Sequence, residues 1–134
     1  MNEPSSAIPK LLFAVDDDID VGSFIAHASN LVHFEAHGIA SGRELLLRLV
    51  EKPDVIVLDV AMPDLDGIEV ISALADAQFE GCLVIASGFN SGVVDMAAML
   101  AKARGLRLTG VLTKPFDMEK LHQMLAQCQT ADKP

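Results

Sequence analysis

Short apolar runs, each giving way to a longer stretch with helical spacing, organise this chain from Lys10 to Cys128. Leu11-Leu12-Phe13-Ala14-Val15 sets strand 1 at Lys10–Val15, and Val55-Ile56-Val57-Leu58 sets strand 3 at Asp54–Leu58. Leu83-Val84-Ile85-Ala86 sets strand 4 at Cys82–Ala86, and Val111-Leu112-Thr113 closes strand 5 at Leu108–Thr113. The strand 3 run, unbroken and rich in β-branched residues, reads as buried on both faces, as in a parallel sheet covered by helices. Strand 2, read at Val32–His37, is different. There Val32, Phe34 and Ala36 alternate with His33, Glu35 and His37, the mark of one wet face and an edge position.

Between these runs the helical elements follow. Helix 1 spans about Ile19 to Asn30. Helix 2 opens on Ser41 with Glu44 three residues on, a capping box, and stops before Lys52-Pro53. Helix 3 takes Asp66 as its N-cap and presents Ile68, Ile71 and Leu74 on one face. Helix 4 runs from about Ser91 to Arg104, with Gly105 just past its end, and Met96, Met99 and Leu100 read as packing positions. Helix 5 follows Asp117 with Met118, Leu121, Leu125 and Cys128 on its buried stripe. This alternation predicts an α/β fold: a doubly wound parallel sheet with helices on both faces, joined by right-handed crossovers. Residues 1–9 read as a flexible tail, 10–128 as one domain and 129–134 as a short C-terminal tail.

Four runs end on residues able to do chemistry. Asp16-Asp17-Asp18 follows strand 1, Asp59 strand 3, Ser87 strand 4 and Lys114-Pro115 strand 5. Open α/β sheets bind ligands outside these carboxyl ends. Carboxylates, a hydroxyl and an ammonium suit a divalent cation and a phosphoryl group. Phosphoryl transfer needs an in-line nucleophile and neutralised equatorial oxygens. Asp59 is the candidate nucleophile, since a carboxylate can form an aspartyl phosphate. Singly, each residue has a plainer role. The acidic run could cap helix 1, Asp59 could serve a turn before Met62-Pro63, Ser87 could cap a helix, and Lys114 could be solvated. Their recurrence at successive strand ends favours a shared site.

Composition narrows the picture. At 134 residues and 51% apolar, the chain is long enough for a core and too apolar for disorder. A net charge of −9 and a pI near 4.7 exclude an electrostatic nucleic-acid surface. The acids crowd into two loops, Asp16, Asp17, Asp18 and Asp20 in one and Asp59, Asp64 and Asp66 in the other, so a compensating cation is expected. Cys82 and Cys128 make no disulfide framework, and no apolar segment approaches the ~18 residues of a membrane span. A cytoplasmic protein with no membrane partner is expected. His27, His33, His37 and His122 read as surface residues rather than metal ligands.

Together, Val15-Asp16-Asp17-Asp18, Asp59-Val60-Ala61-Met62-Pro63 with Gly67, Ser87-Gly88 and Lys114-Pro115-Phe116 resemble the receiver domain of bacterial two-component response regulators. The resemblance runs from Lys10 to Cys128. It implies a flavodoxin-like five-stranded sheet of order 2-1-3-4-5 with five helices, and phosphorylation on Asp59. It implies Mg²⁺ on Asp17, Asp59 and the backbone carbonyl of Ala61, with Asp16 acting mostly through water. Lys114 would pair with one phosphoryl oxygen and Ser87 would donate to another, beside a cis Lys114–Pro115 bond. Gly67 and Gly88 would keep space beside the phosphate. The resemblance further implies a signalling phosphoacceptor rather than an enzyme, with Mg²⁺-dependent autophosphorylation and autodephosphorylation. The donor would be a sensor histidine kinase or phosphotransfer protein. Helix 4–strand 5–helix 5 would be the surface for output or homodimerisation.

Two departures bear on switching. Val111 stands three residues before the lysine, where many receivers carry Tyr or Phe, so the switch falls on Ser87 and the segment to Val94. The stretch from Ser87 to Lys114 is a few residues longer than usual, resembling receivers found beside cyclic-di-GMP phosphodiesterase domains. Two rivals remain: a haloacid-dehalogenase-like phosphatase with Asp16 as nucleophile, and a receiver-shaped scaffold that is never phosphorylated.

Overall fold

The apolar runs assemble into one parallel sheet. The computed structural model describes residues 8–62, 67–88 and 91–130. In chain order these form β1 (Lys10–Val15), α1 (Ile19–Asn30), β2 (Phe34–Ile39), α2 (Gly42–Leu47) and β3 (Val55–Asp59). They continue as α3 (Gly67–Asp76), β4 (Cys82–Ser87), α4 (Ser91–Ala103), β5 (Arg107–Thr113) and α5 (Met118–Thr130). The strand order is β2-β1-β3-β4-β5, as the resemblance implies.

Period-two alternation explains why the central strands are apolar throughout. Phe13, Val15, Ile56, Leu58, Leu83 and Ile85 pack on one face with Leu45 of α2, Val70, Ile71 and Leu74 of α3, and Ala97 and Ala101 of α4. Leu12, Ala14, Val55, Val57, Val84 and Ala86 pack on the other with Ile25 and Ala28 of α1 and Leu121, Leu125 and Cys128 of α5. Each fully buried large aliphatic side chain contributes about 1.5–3 kcal/mol.

Several boundaries differ from the sequence reading. β2 begins at Phe34 rather than Val32, because backbone bonds from Val32 to Ser29 and from His33 to Asn30 continue the turn after α1. His33 sits in that turn with φ 74, outside the strand. Helix 2 tightens into a 3₁₀ turn over Arg48–Glu51, ended by Lys52 in the left-handed region at φ 58. Helix 5 runs on to Thr130. Met96 and Met99 are not packing residues: they are 61% and 70% exposed, and α4 instead packs through Val93, Val94, Ala97, Ala98, Leu100 and Ala101. Asp66, expected to cap helix 3, lies outside the described residues, as do Asp64 and Phe89.

Register builds the site. Val15 pairs with Leu58, so Asp16 and Asp59 emerge side by side from β1 and β3. Ser87 pairs with Thr113, which brings the residue after β5, Lys114, to the same edge.

Candidate functional site

The first acidic loop divides its labour. Asp18 takes the plain role of capping α1, its Oδ1 accepting from the backbone N–H groups of Asp20 and Val21 at 3.0 and 3.4 Å. Asp16 turns inward instead and is 2% exposed. Its Oδ1 accepts from the Asp18 N–H at 2.9 Å. Asp59, 5% exposed, ends β3 and accepts from the Ala61 N–H through Oδ1 at 2.9 Å.

Lys114 joins the two acids. Its Nζ donates to Asp16 Oδ2 at 2.7 Å and to Asp59 Oδ2 at 3.3 Å. Burial pushes the Asp16 carboxyl above the usual carboxylate range, outweighing the hydrogen bonds from Lys114 and the Asp18 N–H that work to lower it. Burial also works against the Lys114 ammonium, but its hydrogen bonds to both acids and their charges together raise it. The ammonium therefore stays charged between its partners.

Asp17 completes an oxygen cluster. Carboxylate oxygens of Asp16, Asp17 and Asp59 lie within 4.8 Å of one another, the group with metal-ligand spacing among the described residues. Asp17 is exposed while the other two are buried, so the cluster opens to solvent on one side. Hard carboxylate oxygens with an open side fit Mg²⁺, which keeps several waters or phosphate oxygens.

Ser87 supplies the second sign of function. Its side chain is 4% exposed, and the buried Oγ has no hydrogen-bond partner. Such orphans are rare because an unmade buried hydrogen bond is costly. The backbone around it is tied down: Ser87 O accepts from the Lys114 N–H at 2.8 Å, and the Lys114–Pro115 peptide is cis, as the resemblance implies.

The two loop glycines differ. A Cβ on Gly67 would lie 2.6 Å from Val60 Cα and Cβ, so α3 can start close behind Asp59 only with glycine there. A Cβ on Gly88 would meet nothing within 4 Å, and the expectation that Gly88 is needed for space is not met. Val111 is 37% exposed on β5. His37 Nε2 lies 3.0 Å from Glu35 Oε2, while His122 Nε2 bonds the Ala28 carbonyl at 2.8 Å. Neither belongs to a metal-ligand group among the described residues.

One feature was not read from the sequence. A cleft of about 480 Å³ borders the site, lined by Asp20, Val21 and Phe24 of α1, by Gly88, and by Lys114, Pro115 and Phe116. The Phe24 and Phe116 rings lie 6.3 Å apart. Nothing local to Phe24 signals it, since Val21, Ile25 and Ala26 beside it are apolar as well.

Comparison with known proteins agrees with this geometry. Residues 12–126 match the family model described as the response regulator receiver domain. The transcriptional regulatory protein PrrA of Mycobacterium leprae is 36% identical over 116 residues, covering 84% of this chain and 46% of that protein. The regulatory protein AtoC of Escherichia coli is 26% identical over 132 residues, covering 96% of this chain and 27% of that protein. The chain thus spans about half or less of the curated relatives it matches. Among solved structures, a response regulator from Colwellia psychrerythraea superposes with a TM-score of 0.79 at 30% identity, covering 93% of this chain and 100% of that one. The chemotaxis protein CheY4 of Vibrio cholerae gives 0.75 at 27% identity, covering 90% and 98%. No helix among the described residues is long and apolar enough to cross a membrane.

Proposed function

The chain belongs to the response regulator receiver domain family, and from that premise we propose that Asp59 is the residue on which it accepts its phosphoryl group. One observation carries the assignment: the buried Asp59 carboxylate shares Lys114 with Asp16, at an edge where the buried Ser87 Oγ lacks a partner. An Asp59 oxygen attacks the phosphorus of a phosphohistidine on a sensor kinase or phosphotransfer protein. The P–O bond forms as the P–N bond breaks, and the imidazole leaves. Lys114 then neutralises one oxygen of the acyl phosphate, and the Ser87 hydroxyl donates to another. Asp16, Asp17, Asp59 and the Ala61 carbonyl would hold Mg²⁺, which when bound neutralises charge on the phosphoryl oxygens. Hydrolysis of the acyl phosphate resets the chain, which acts as a signalling acceptor rather than an enzyme on other substrates.

The apolar cleft of Val21, Phe24 and Phe116 is the natural docking place for the donor, since it adjoins Lys114. Phosphorylation shifts a two-state equilibrium. Exposed Met96 and Met99 on α4, with half-exposed Val111 on β5, make the α4–β5–α5 side the candidate surface for an output protein or a second copy. Family membership leaves the phosphatase alternative without support.

Acetyl phosphate with Mg²⁺ should add one phosphoryl group by intact mass, and Asp59→Asn should abolish the addition. Persistent labelling of that variant would sink the assignment.

A further inference from the structure

A second concavity lies at the opposite end of the sheet from Asp59. Its volume is about 290 Å³, and it is lined by residues that precede β3 and β4 rather than follow them. Apolar Leu49, Pro53, Ala77 and Phe79 and charged Lys52 and Glu80 form its walls. An apolar projection stands beside it. Leu47 and Val50, at the end of α2 and in the 3₁₀ turn that continues it, are 78% and 83% exposed. Residues three apart share a helix face, so the two side chains stand together next to the groove. Contiguous apolar surface of this kind marks a contact site.

The charges around this face are uneven in what they leave over. Arg48 pairs with Glu44 and Glu51, and Arg104 with Asp76. Lys52 and Glu80, the two charged residues of the groove, have no ion pair among the described residues. Lys52 also keeps its side chain at a left-handed position, φ 58, that glycine would hold at lower cost. We propose that this face is a two-fold interface between copies of the chain. A surface that meets itself across a two-fold axis must carry both halves of every contact. Here a projection adjoins a groove, and an unpaired cation adjoins an unpaired anion. Leu47 and Val50 of one protomer fill the groove of its partner, and Lys52 of each meets the partner's Glu80. An apolar centre with a charged rim is the usual plan of such contacts. Exposed Met96 and Met99 of α4 take no part in it.

Sedimentation velocity of the whole chain, from about 10 µM to about 1 mM where weak pairs assemble, tests this. Wild type should pass from monomer towards dimer across that range. Leu47→Ser combined with Val50→Ser should weaken association at least about tenfold. Both positions are exposed, so the fold should be kept, as circular dichroism would verify. Met96→Ser combined with Met99→Ser should leave association unchanged. Lys52→Glu alone and Glu80→Lys alone should each weaken it about tenfold, because each puts like charges into both rim contacts. Mixing these two variants, or placing both changes in one chain, restores opposite charges and should restore assembly, which no separate structural effect of either change could do. A wild type that stays monomeric throughout overturns the proposal and leaves the face to a different partner. Dimers that survive the Leu47 and Val50 changes, dimers lost through the Met96 and Met99 changes, or charge variants that do not rescue each other also overturn it.

Discussion

Replacing Ser87 by alanine should stabilise the resting protein while impairing its response. The hydroxyl is buried without a partner, and the side chain is 4% exposed. An unmade hydrogen bond of this kind costs about 1–3 kcal/mol, which Ser87→Ala recovers. Against this, removing one well-packed buried heavy atom costs about 0.5–1.5 kcal/mol. The balance is about 1 kcal/mol in favour of the variant, or roughly 3 °C in Tm for a chain of this size. The protein has no Trp or Tyr, so unfolding in urea is followed by far-ultraviolet circular dichroism, with EDTA present throughout. The midpoint should rise with an unchanged slope. Phosphoryl uptake from acetyl phosphate should slow, and amide shifts induced by a beryllofluoride mimic should shrink in the segment from Ser87 to Val94. Ser87→Thr keeps the hydroxyl and should retain both. A lower urea midpoint for Ser87→Ala would show that the hydroxyl is already satisfied, and would remove the orphan from the argument. A gain in stability with a loss of response is the pattern of a group held for function rather than for folding.

Gly67→Ala should cost about 2 kcal/mol, because its Cβ would overlap Val60 at 2.6 Å, whereas Gly88→Ala, with nothing within 4 Å, should melt like wild type. Equal melting temperatures for the two variants would refute the close approach of α3 to β3. Burial pushes the Cys128 thiol up to about 12, against an ordinary 9.0, and Cys82 is buried nearby in the same core layer. A thiol-specific disulfide reagent at neutral pH should therefore label neither until the chain unfolds. Because the folded value is the higher one, the stability Cys128 contributes is fully present below pH 9.0 and is lost as pH rises towards 12. Cys128→Ala should accordingly weaken the fall in stability over that window, and an identical fall in both proteins would contradict it.

Periodicity along the chain determined the five strands and the five helices and marked β3 as interior and β2 as an edge, because a strand buried on both faces must be apolar at every position. That β5 is the second edge, with Leu112 its one buried residue, was decided by the tertiary structure. Periodicity also placed Asp16, Asp59, Ser87 and Lys114 at carboxyl ends of strands, and these converge. The start of β2 could not be read, since Leu31–His33 fit a strand pattern while their backbone bonds extend the turn after α1. Met96 and Met99 were misread because apolar character at helical spacing does not say which side of α4 meets the sheet. Burial there went to the small Ala97 and Ala101, which allow close approach. Tertiary structure alone separated the three neighbouring aspartates into a helix cap, a buried partner of Lys114 and an exposed member of the oxygen cluster. It alone left Ser87 Oγ without a partner and drew Phe24 and Phe116 together beside the site. These outcomes depend on distances between side chains from distant strands and loops. Local spacing constrains which residues reach the same sheet edge, and only packing decides which atoms meet there.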